Sequence, residues 1–253
     1  MSRDWLPDLG GRPYRYFAQV SSTQDIARAW ALEGAANGAI VIADEQTAGR
    51  GRLGRTWLAA PGSSLLLSVI LRPALPPEEL GRVTLLGAVA LAEALAGLGV
   101  LPGIKWPNDL QLAGRKVAGI LAEAVWSGDA LRAVVLGIGV NVQRDALPPA
   151  ALEAYRATTV EAALGRHCPR GALLGDLLAH LDAWMPRLRE PILLEAWTRY
   201  NVTLGRRVVV AAGHEQFSGV AEALDNRGAL LIRLDNGSLR PLLAGEVTIV
   251  DEA

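Results

Sequence analysis

The run 64–72 (SLLLSVILR) is apolar at nearly every position rather than at alternate ones. A strand of that kind is buried on both faces, so the sheet it joins needs cover on both sides. The runs 117–125 (VAGILAEAV) and 133–142 (AVVLGIGVNV) read as two more strands, separated by the turn signal Ser127-Gly128-Asp129. A shorter strand is expected at 39–46 (AIVIADEQ). Helices fill the spaces between. One opens at Ser22-Thr23-Gln24-Asp25, with Ser22 or Thr23 as N-cap, and carries Ala27, Trp30 and Ala31 as its apolar stripe. Another spans 77–99, with Pro77 near its start and Glu78 and Glu79 in its first turn. Segments 159–164 and 171–200 are mostly helical, interrupted at Pro186 and Pro191.

After Tyr200 the pattern changes to short strands over 205–250, punctuated at Ala212-Gly213, 226–228 and Asp235-Asn236-Gly237. The expected fold is therefore α/β (α+β): a mixed domain over 1–202, followed by a small β module over 203–253. The length of 253 residues suits one large domain with such an appendage. With 51% hydrophobic and 20% charged residues the chain can bury a sizeable core. A mean hydropathy of +0.23 raises the question of a membrane. The longest charge-free stretch, 56–71, is broken by Pro61-Gly62, so no membrane span is expected, and the N-terminus lacks a signal peptide's apolar run. A net charge of −1 gives no reason to expect nucleic-acid binding. The one cysteine, Cys168, can form neither an internal disulfide nor a thiolate zinc cluster, which fits a reducing, cytoplasmic setting.

Three segments could carry chemistry. Gly49-Arg50-Gly51-Arg52-Leu53-Gly54-Arg55-Thr56-Trp57 matches a dinucleotide fingerprint only by chance, because a strand and not a helix follows it. What remains is a glycine-rich loop with arginines suited to carboxylate or phosphate, and a tryptophan on which a base could stack; a flexible solvated loop is the plain alternative. The second segment is Lys105-Trp106-Pro107-Asn108-Asp109-Leu110, followed by Arg115-Lys116 and the apolar strand. Only two of the 25 basic residues are lysines, Lys105 and Lys116, and both fall here, which suggests that a compact ammonium is wanted. An unpaired Lys116 ammonium in that strand would be costly, and a bound anion would remove the cost; a lysine snorkelling at a strand end is the alternative. The third segment, Gly137-Ile138-Gly139-Val140-Asn141-Val142, has alternating glycines that mark close approach of a ligand or of another backbone.

Together with Ser21-Ser22-Thr23-Gln24, the following RKVAGILAE and the C-terminal Gly245-Glu246-Val247, these segments resemble the bacterial biotin protein ligases, the biotin–[acetyl-CoA-carboxylase] ligases, over almost the whole chain. The resemblance implies a mixed-sheet, class II synthetase-like catalytic domain with a C-terminal SH3-like β-barrel. It implies ATP-dependent formation of biotinyl-5′-AMP, then transfer of biotin to a lysine of a biotin carboxyl carrier domain. The substrates would be biotin and ATP with Mg²⁺, with no tightly bound cofactor or protein metal site. Ser22, Thr23, Gln24 and Gln46 would hold the ureido ring. Gly49, Arg50, Gly51 and Arg52 would close over biotin and the phosphates, with Arg55 on the nucleotide. Lys116 would bridge biotin carboxylate and α-phosphate, and Gly119 and Gly137 would let the ligand lie flat on the sheet. Trp57 would stack on adenine, Asn108 and Asn141 would meet nucleotide or phosphate, and Asp109 would act with Mg²⁺ or orient its neighbours.

About twenty residues precede Ser21, too few for the winged helix-turn-helix of repressor-type relatives, so the ligase-only form without a DNA role is expected. Some relatives carry an arginine shortly after the C-terminal Gly-Glu; here Val250 stands near that place, and no C-terminal catalytic residue is assigned. The family's target lysine sits between methionines, and neither Met1 nor Met185 adjoins a lysine here, so the resemblance implies a separate carrier domain as acceptor; homodimerisation through a sheet edge stays open. The rival readings are a lipoate or octanoate ligase, against which stands the lack of a His near the loop, and a non-catalytic biotin sensor, against which stands Lys116.

Overall fold

The hairpin foreseen around Ser127-Gly128-Asp129 is the spine of the molecule. In a computed structural model that describes residues 3–250, its arms run Arg115–Ser127 and Ala130–Asn141. In chain order the strands are β1 (Tyr14–Phe17), β2 (Ile40–Ala43), β3 (Ser64–Leu71), β4 (Pro102–Lys105), β5 (Asp109–Leu112), β6 (Arg115–Ser127) and β7 (Ala130–Asn141). They form one sheet in the order β1-β2-β3-β7-β6-β5-β4. Only the β1–β2 pair is parallel.

The helices are α1 (Thr23–Leu32), α2 (Gly81–Gly97), α3 (Pro149–Ala154), α4 (Val160–Leu164), α5 (Arg170–Trp184) and α6 (Ile192–Tyr200). Successive strand residues point to opposite faces. Leu65, Leu67 and Val69 of β3, with Val134, Leu136, Ile138 and Val140 of β7, join the main core with α2, α5 and α6. The opposite face has a much smaller core, in which α1 places Ala27 and Ala31 over Val41, Ile70, Val125, Ala133 and Val135. Cover on that face stops at Val135. Beyond it, the same face of β7 carries Gly137, Gly139 and Asn141.

The segment Pro77–Gly97 has the length and apolarity of a membrane span, with a mean hydropathy of 1.5, although no span was expected from the charge-free stretches. Its apolar window is 67% buried against the sheet and the other helices of this molecule. The expected helix 77–99 divides here into a 3₁₀ turn (Pro77–Glu79) and α2. Pro186 lies in a 3₁₀ turn, and Pro191 is the N-cap of α6. Ser22 does occupy the α1 N-cap position but makes no side-chain capping bond. The Thr23 amide donates instead to Gln46 Oε1 at 2.7 Å.

The C-terminal strands β8 (Arg207–Ala212), β9 (Glu215–Leu224), β10 (Leu230–Arg233), β11 (Leu239–Leu242) and β12 (Glu246–Ile249) form an antiparallel sheet in the order β11-β10-β9-β8-β12. Its docking on the larger sheet is specific. The Trp106 amide donates to Thr203 Oγ1 at 2.9 Å, and the Trp106 indole donates to the Gly228 carbonyl at 3.2 Å. Buried Arg82, at the start of α2, donates to the carbonyls of Leu188, Glu190 and Asn226, and so ties three segments together. Replacing it by methionine orphans three carbonyls. Arg82→Met is expected to lower stability by about 3 kcal/mol, the scale of losing a buried hydrogen-bonded charge, measured as a fall in the urea midpoint.

Candidate active site

The bare half of the sheet is the floor of a cavity of about 550 Å³. Along that floor Leu121 pairs with Gly137 and Gly119 with Gly139, and Asn141 lies further along β7. At one end sits α1. Ser68, the polar interruption of β3, lies with its hydroxyl 2.9 Å from Thr23 Oγ1 and 2.8 Å from Gln24 Oε1. Thr23 Oγ1 donates to Gln46 Oε1 at 3.0 Å, and Gln24 Nε2 donates to Glu123 Oε2 at 2.9 Å. Within this network the buried Ser22 hydroxyl has no partner.

The middle of the floor belongs to Trp57. A Cβ added to Gly139 would lie 2.7 Å from the indole, and one added to Gly119 would lie 3.1 Å from it. A Cβ on Gly137 would fall 2.8 Å from Gln24 Oε1. The expectation that Gly119 and Gly137 receive a flat ligand is therefore corrected in part. Both glycines line the cavity, but the clearance they create is occupied by Trp57 and Gln24. The buried Trp57 Nε1 has no partner.

At the far end, the Lys116 backbone is held by the Arg156 carbonyl and the Thr158 amide. Its ammonium lies 2.6 Å from Asp109 Oδ1 and 5.8 Å from the Trp57 ring. Contrary to the first expectation from the sequence, Lys116 therefore does not depend on a bound anion for its countercharge, and it is partly in solvent, as the snorkelling alternative expects. It is 32% exposed, and Asp109 supplies the countercharge because β5 places that carboxylate beside the start of β6. Asn141 is buried, its Nδ2 donating to the Thr158 carbonyl at 3.3 Å while its Oδ1 stays unpartnered.

The glycine-rich loop folds on itself through Gly51 N to the Arg55 carbonyl (2.7 Å) and Trp57 N to the Gly49 carbonyl (2.9 Å). No long helix follows it before β3. Gly49 itself does not line the cavity: an added Cβ would meet the Trp57 carbonyl at 2.6 Å, so glycine is required there by the chain crossing over itself. Arg50 lies 2.8 Å from Asp25 Oδ1 and 3.2 Å from Glu123 Oε2. Arg52 donates to Asn108 Oδ1 at 3.3 Å, and burial pushes its pKa below the ordinary guanidinium value. Asn108 is fixed in turn by donating to the Ile120 carbonyl at 3.0 Å.

Arg55 does not stand free for a phosphate. It grips both oxygens of Glu246 on the C-terminal sheet, and that bond holds the Glu246 carboxyl below its usual range. Gly245, Glu246 and Val247 reach the cavity wall, as do Lys105, Leu147 and Tyr155. The sequence reading gave none of these a role. Ser68 and Glu123 were legible only as polar breaks in apolar strands, and Gly139 only as the second of two alternating glycines.

The Biotin/lipoate A/B protein ligase family matches residues 16–141, and the Biotin protein ligase C terminal domain matches residues 203–250. The biotin--[acetyl-CoA-carboxylase] ligase of Mycobacterium tuberculosis is 34% identical over 248 residues, covering 94% of this chain and 89% of its own length. The bifunctional ligase/repressor BirA of Bacillus subtilis is 34% identical over 236 residues, covering 91% of this chain and 72% of its own. Among solved structures, the biotin protein ligase from Aquifex aeolicus in complex with biotin and ATP superposes with a TM-score of 0.79 at 28% identity, covering 95% of this chain and 99% of that one. The biotin protein ligase from Leishmania major in complex with biotinyl-5-AMP gives 0.63 at 25% identity, covering 91% and 98%.

The contact between Gly139 and the indole can be tested directly. Gly139→Ala is expected to lift Trp57 off the sheet at a cost of about 1–3 kcal/mol, as for overpacking. The Trp57 emission, isolated by difference against the same variant carrying Trp57→Phe, should shift to the red.

Proposed function

This chain belongs to the biotin protein ligase family, and from that premise we propose that it joins biotin to ATP to form biotinyl-5′-AMP and pyrophosphate, then passes the biotinyl group to a carrier lysine. The observation that carries the reading is the order of groups along the cavity floor. An amide and hydroxyl network with an orphaned Ser22 hydroxyl lies at one end, and the Asp109-held Lys116 ammonium lies at the other. From Gly137 to Asn141 the strand rises about 13 Å. That suits a ureido ring at the Ser22, Thr23, Gln24 and Gln46 end, with a valeryl tail running toward the cation.

In the first step a biotin carboxylate oxygen attacks the α-phosphorus of ATP, and the bond to the β-phosphate oxygen breaks. Two anions must approach, so fixed positive charge and water exclusion do most of the work. Lys116 would stand where carboxylate and α-phosphate meet, with Arg52 adding positive charge from the loop. Because Asp109 already orients Lys116, little reorganisation is needed when the substrates arrive. Trp57 would offer adenine a flat face, and the orphaned Asn141 Oδ1 would accept from the nucleotide. Mg²⁺ would arrive on the ATP phosphates as part of the substrate; the wall carboxylates Asp109 and Glu246 are each already paired with a cation. In the second step a neutral carrier lysine amine attacks the acyl carbon, AMP leaves, and a proton passes to solvent.

The carrier is proposed to be a separate biotin carboxyl carrier domain. Its approach would be along the outer edge of β6 over 121–127, which extends past the end of β5 and exposes unpaired backbone. The same edge could pair two copies of this chain. The cytoplasm, where ATP is supplied, is the proposed setting. A lipoate or octanoate substrate is disfavoured at the same end of the cavity, because an apolar tail would leave the buried Ser22 hydroxyl unmatched.

ATP–pyrophosphate exchange with biotin, lipoate or octanoate, each tested separately with Mg²⁺, decides the acyl group; exchange is expected with biotin alone. Lys116→Ala is expected to slow biotinyl-AMP formation by at least ~10²-fold, as for loss of one preorganised donor. Lys116→Arg should not restore the rate, because a planar fork does not replace a point charge. Single-turnover formation of biotinyl-AMP at the wild-type rate in Lys116→Ala would exclude that role.

A further inference from the structure

Glu123 lies on β6 opposite Val135, where the cover provided by α1 ends. The mechanism above gives it no task. One of its oxygens nevertheless serves two partners: Oε2 accepts from the Gln24 amide at 2.9 Å and from the Arg50 guanidinium at 3.2 Å. The same Arg50 nitrogen lies 2.8 Å from Asp25 Oδ1, in the first turn of α1. An unbroken polar chain therefore runs from Ser68 through Gln24 and Glu123 to Arg50 and Asp25. It joins the network at the acyl end of the cavity to the glycine-rich loop.

The other loop arginines are tied elsewhere, Arg52 to Asn108 and Arg55 to Glu246. Arg50 is thus the loop's tie at the acyl end. Three charges sharing one contact hold better than an isolated pair. Each is partly exposed, however, so salt should weaken the arrangement.

We propose that Glu123, assisted by Asp25, is a positioning residue that latches the glycine-rich loop across the acyl end of the cavity and, through the same oxygen, fixes the Gln24 amide. The proposal rests on the functional reading above for its consequence. A latched loop keeps the acyl adenylate away from water, which would otherwise cleave it to the free acid and AMP. Opening the latch should therefore loosen the acid and release the adenylate without removing any group from the reacting atoms.

Two measurements test it. On the ligand-free protein, limited trypsinolysis read by mass spectrometry should cut after Arg50, Arg52 and Arg55 about fivefold faster in Glu123→Ala than in wild type, the factor expected for losing a small charge network worth about 1 kcal/mol. Asp25→Asn should fall between, and other tryptic sites should keep their rates. With MgATP and biotin, Glu123→Ala should raise the KM for biotin about fivefold and speed biotinyl-AMP escape, with kcat for pyrophosphate exchange changed less than about twofold. Glu123→Gln should recover less than half of the KM change, because the amide can still accept from Gln24 but has lost the charge that holds Arg50. The wild-type KM should rise with added NaCl, and that of Glu123→Ala should respond less.

Equal tryptic rates in wild type and Glu123→Ala would overturn the latch. A fall in kcat at constant KM would overturn it by moving Glu123 into the chemistry, and a lowered urea midpoint with faster cutting at every site would reduce Glu123 to a structural role. Should the wild type fail to exchange pyrophosphate with biotin, the functional reading falls, while the ligand-free proteolysis still decides the latch.

Discussion

The site exists because one face of the sheet is only half covered. The strands β3 and β7 must bury one face under α2, α5 and α6, and their alternation leaves a second face to be dealt with. The short helix α1 covers that second face only as far as Val135. A bare sheet of leucine and valine would be an aggregation surface. Here the continuing positions are Gly137, Gly139 and Asn141, a floor too small or too polar to drive association. The glycines admit two side chains from elsewhere in the chain, Gln24 and Trp57, each closer to the backbone than any Cβ would allow. Core and cavity are thus two outcomes of one strand periodicity, and the main core supplies the rigidity on which the site's geometry depends.

On this floor the glycine-rich loop is anchored rather than free. Its arginines divide the anchoring among Arg50 at the α1 end, Arg52 at the connection between β4 and β5, and Arg55 on the C-terminal sheet. Leu53, at the loop's turn, has φ +56 and is largely exposed, a left-handed conformation that costs a leucine energy and that the surrounding ties maintain. The link from Arg55 to Glu246 gives the C-terminal sheet a physical connection to the cavity.

Much of this was legible in the sequence, because long buried strands and glycine spacing are local signals. The hairpin β6–β7, the strand β3, the break at Pro186 and the change of pattern after Tyr200 all left such traces. The strands β1, β4 and β5 did not. β1 is a short parallel edge with little alternation, and β4 and β5 flank Trp106-Pro107-Asn108, whose turn chemistry masks the pairing on either side. The candidate residues on the recognised motifs were legible in the sequence, and most of them line one cavity. Those whose role is to hold another side chain were not, because Ser68, Asp25, Glu123 and Glu246 acquire their partners only through long-range folding, at separations that no local spacing encodes.

Lys116 shows how the two levels of reading combine. The sequence suggests a bound anion beside an ammonium entering an apolar strand, with a lysine snorkelling at the strand end as the alternative. The structure supplies Asp109, from the neighbouring strand. Under the function proposed above, the difference matters for catalysis. A lysine held only by its ligand would have to be ordered during each turnover, at the entropic cost of a long flexible side chain. A lysine already oriented by a carboxylate, over a tryptophan face and with its backbone pinned by Arg156 and Thr158, is in place before either anion arrives. Its pairing with Asp109 weakens its field on both the ground state and the transition state. Under the function proposed above, what the pairing would contribute is a fixed position, because a preorganised charge needs no reorganisation at the moment of reaction.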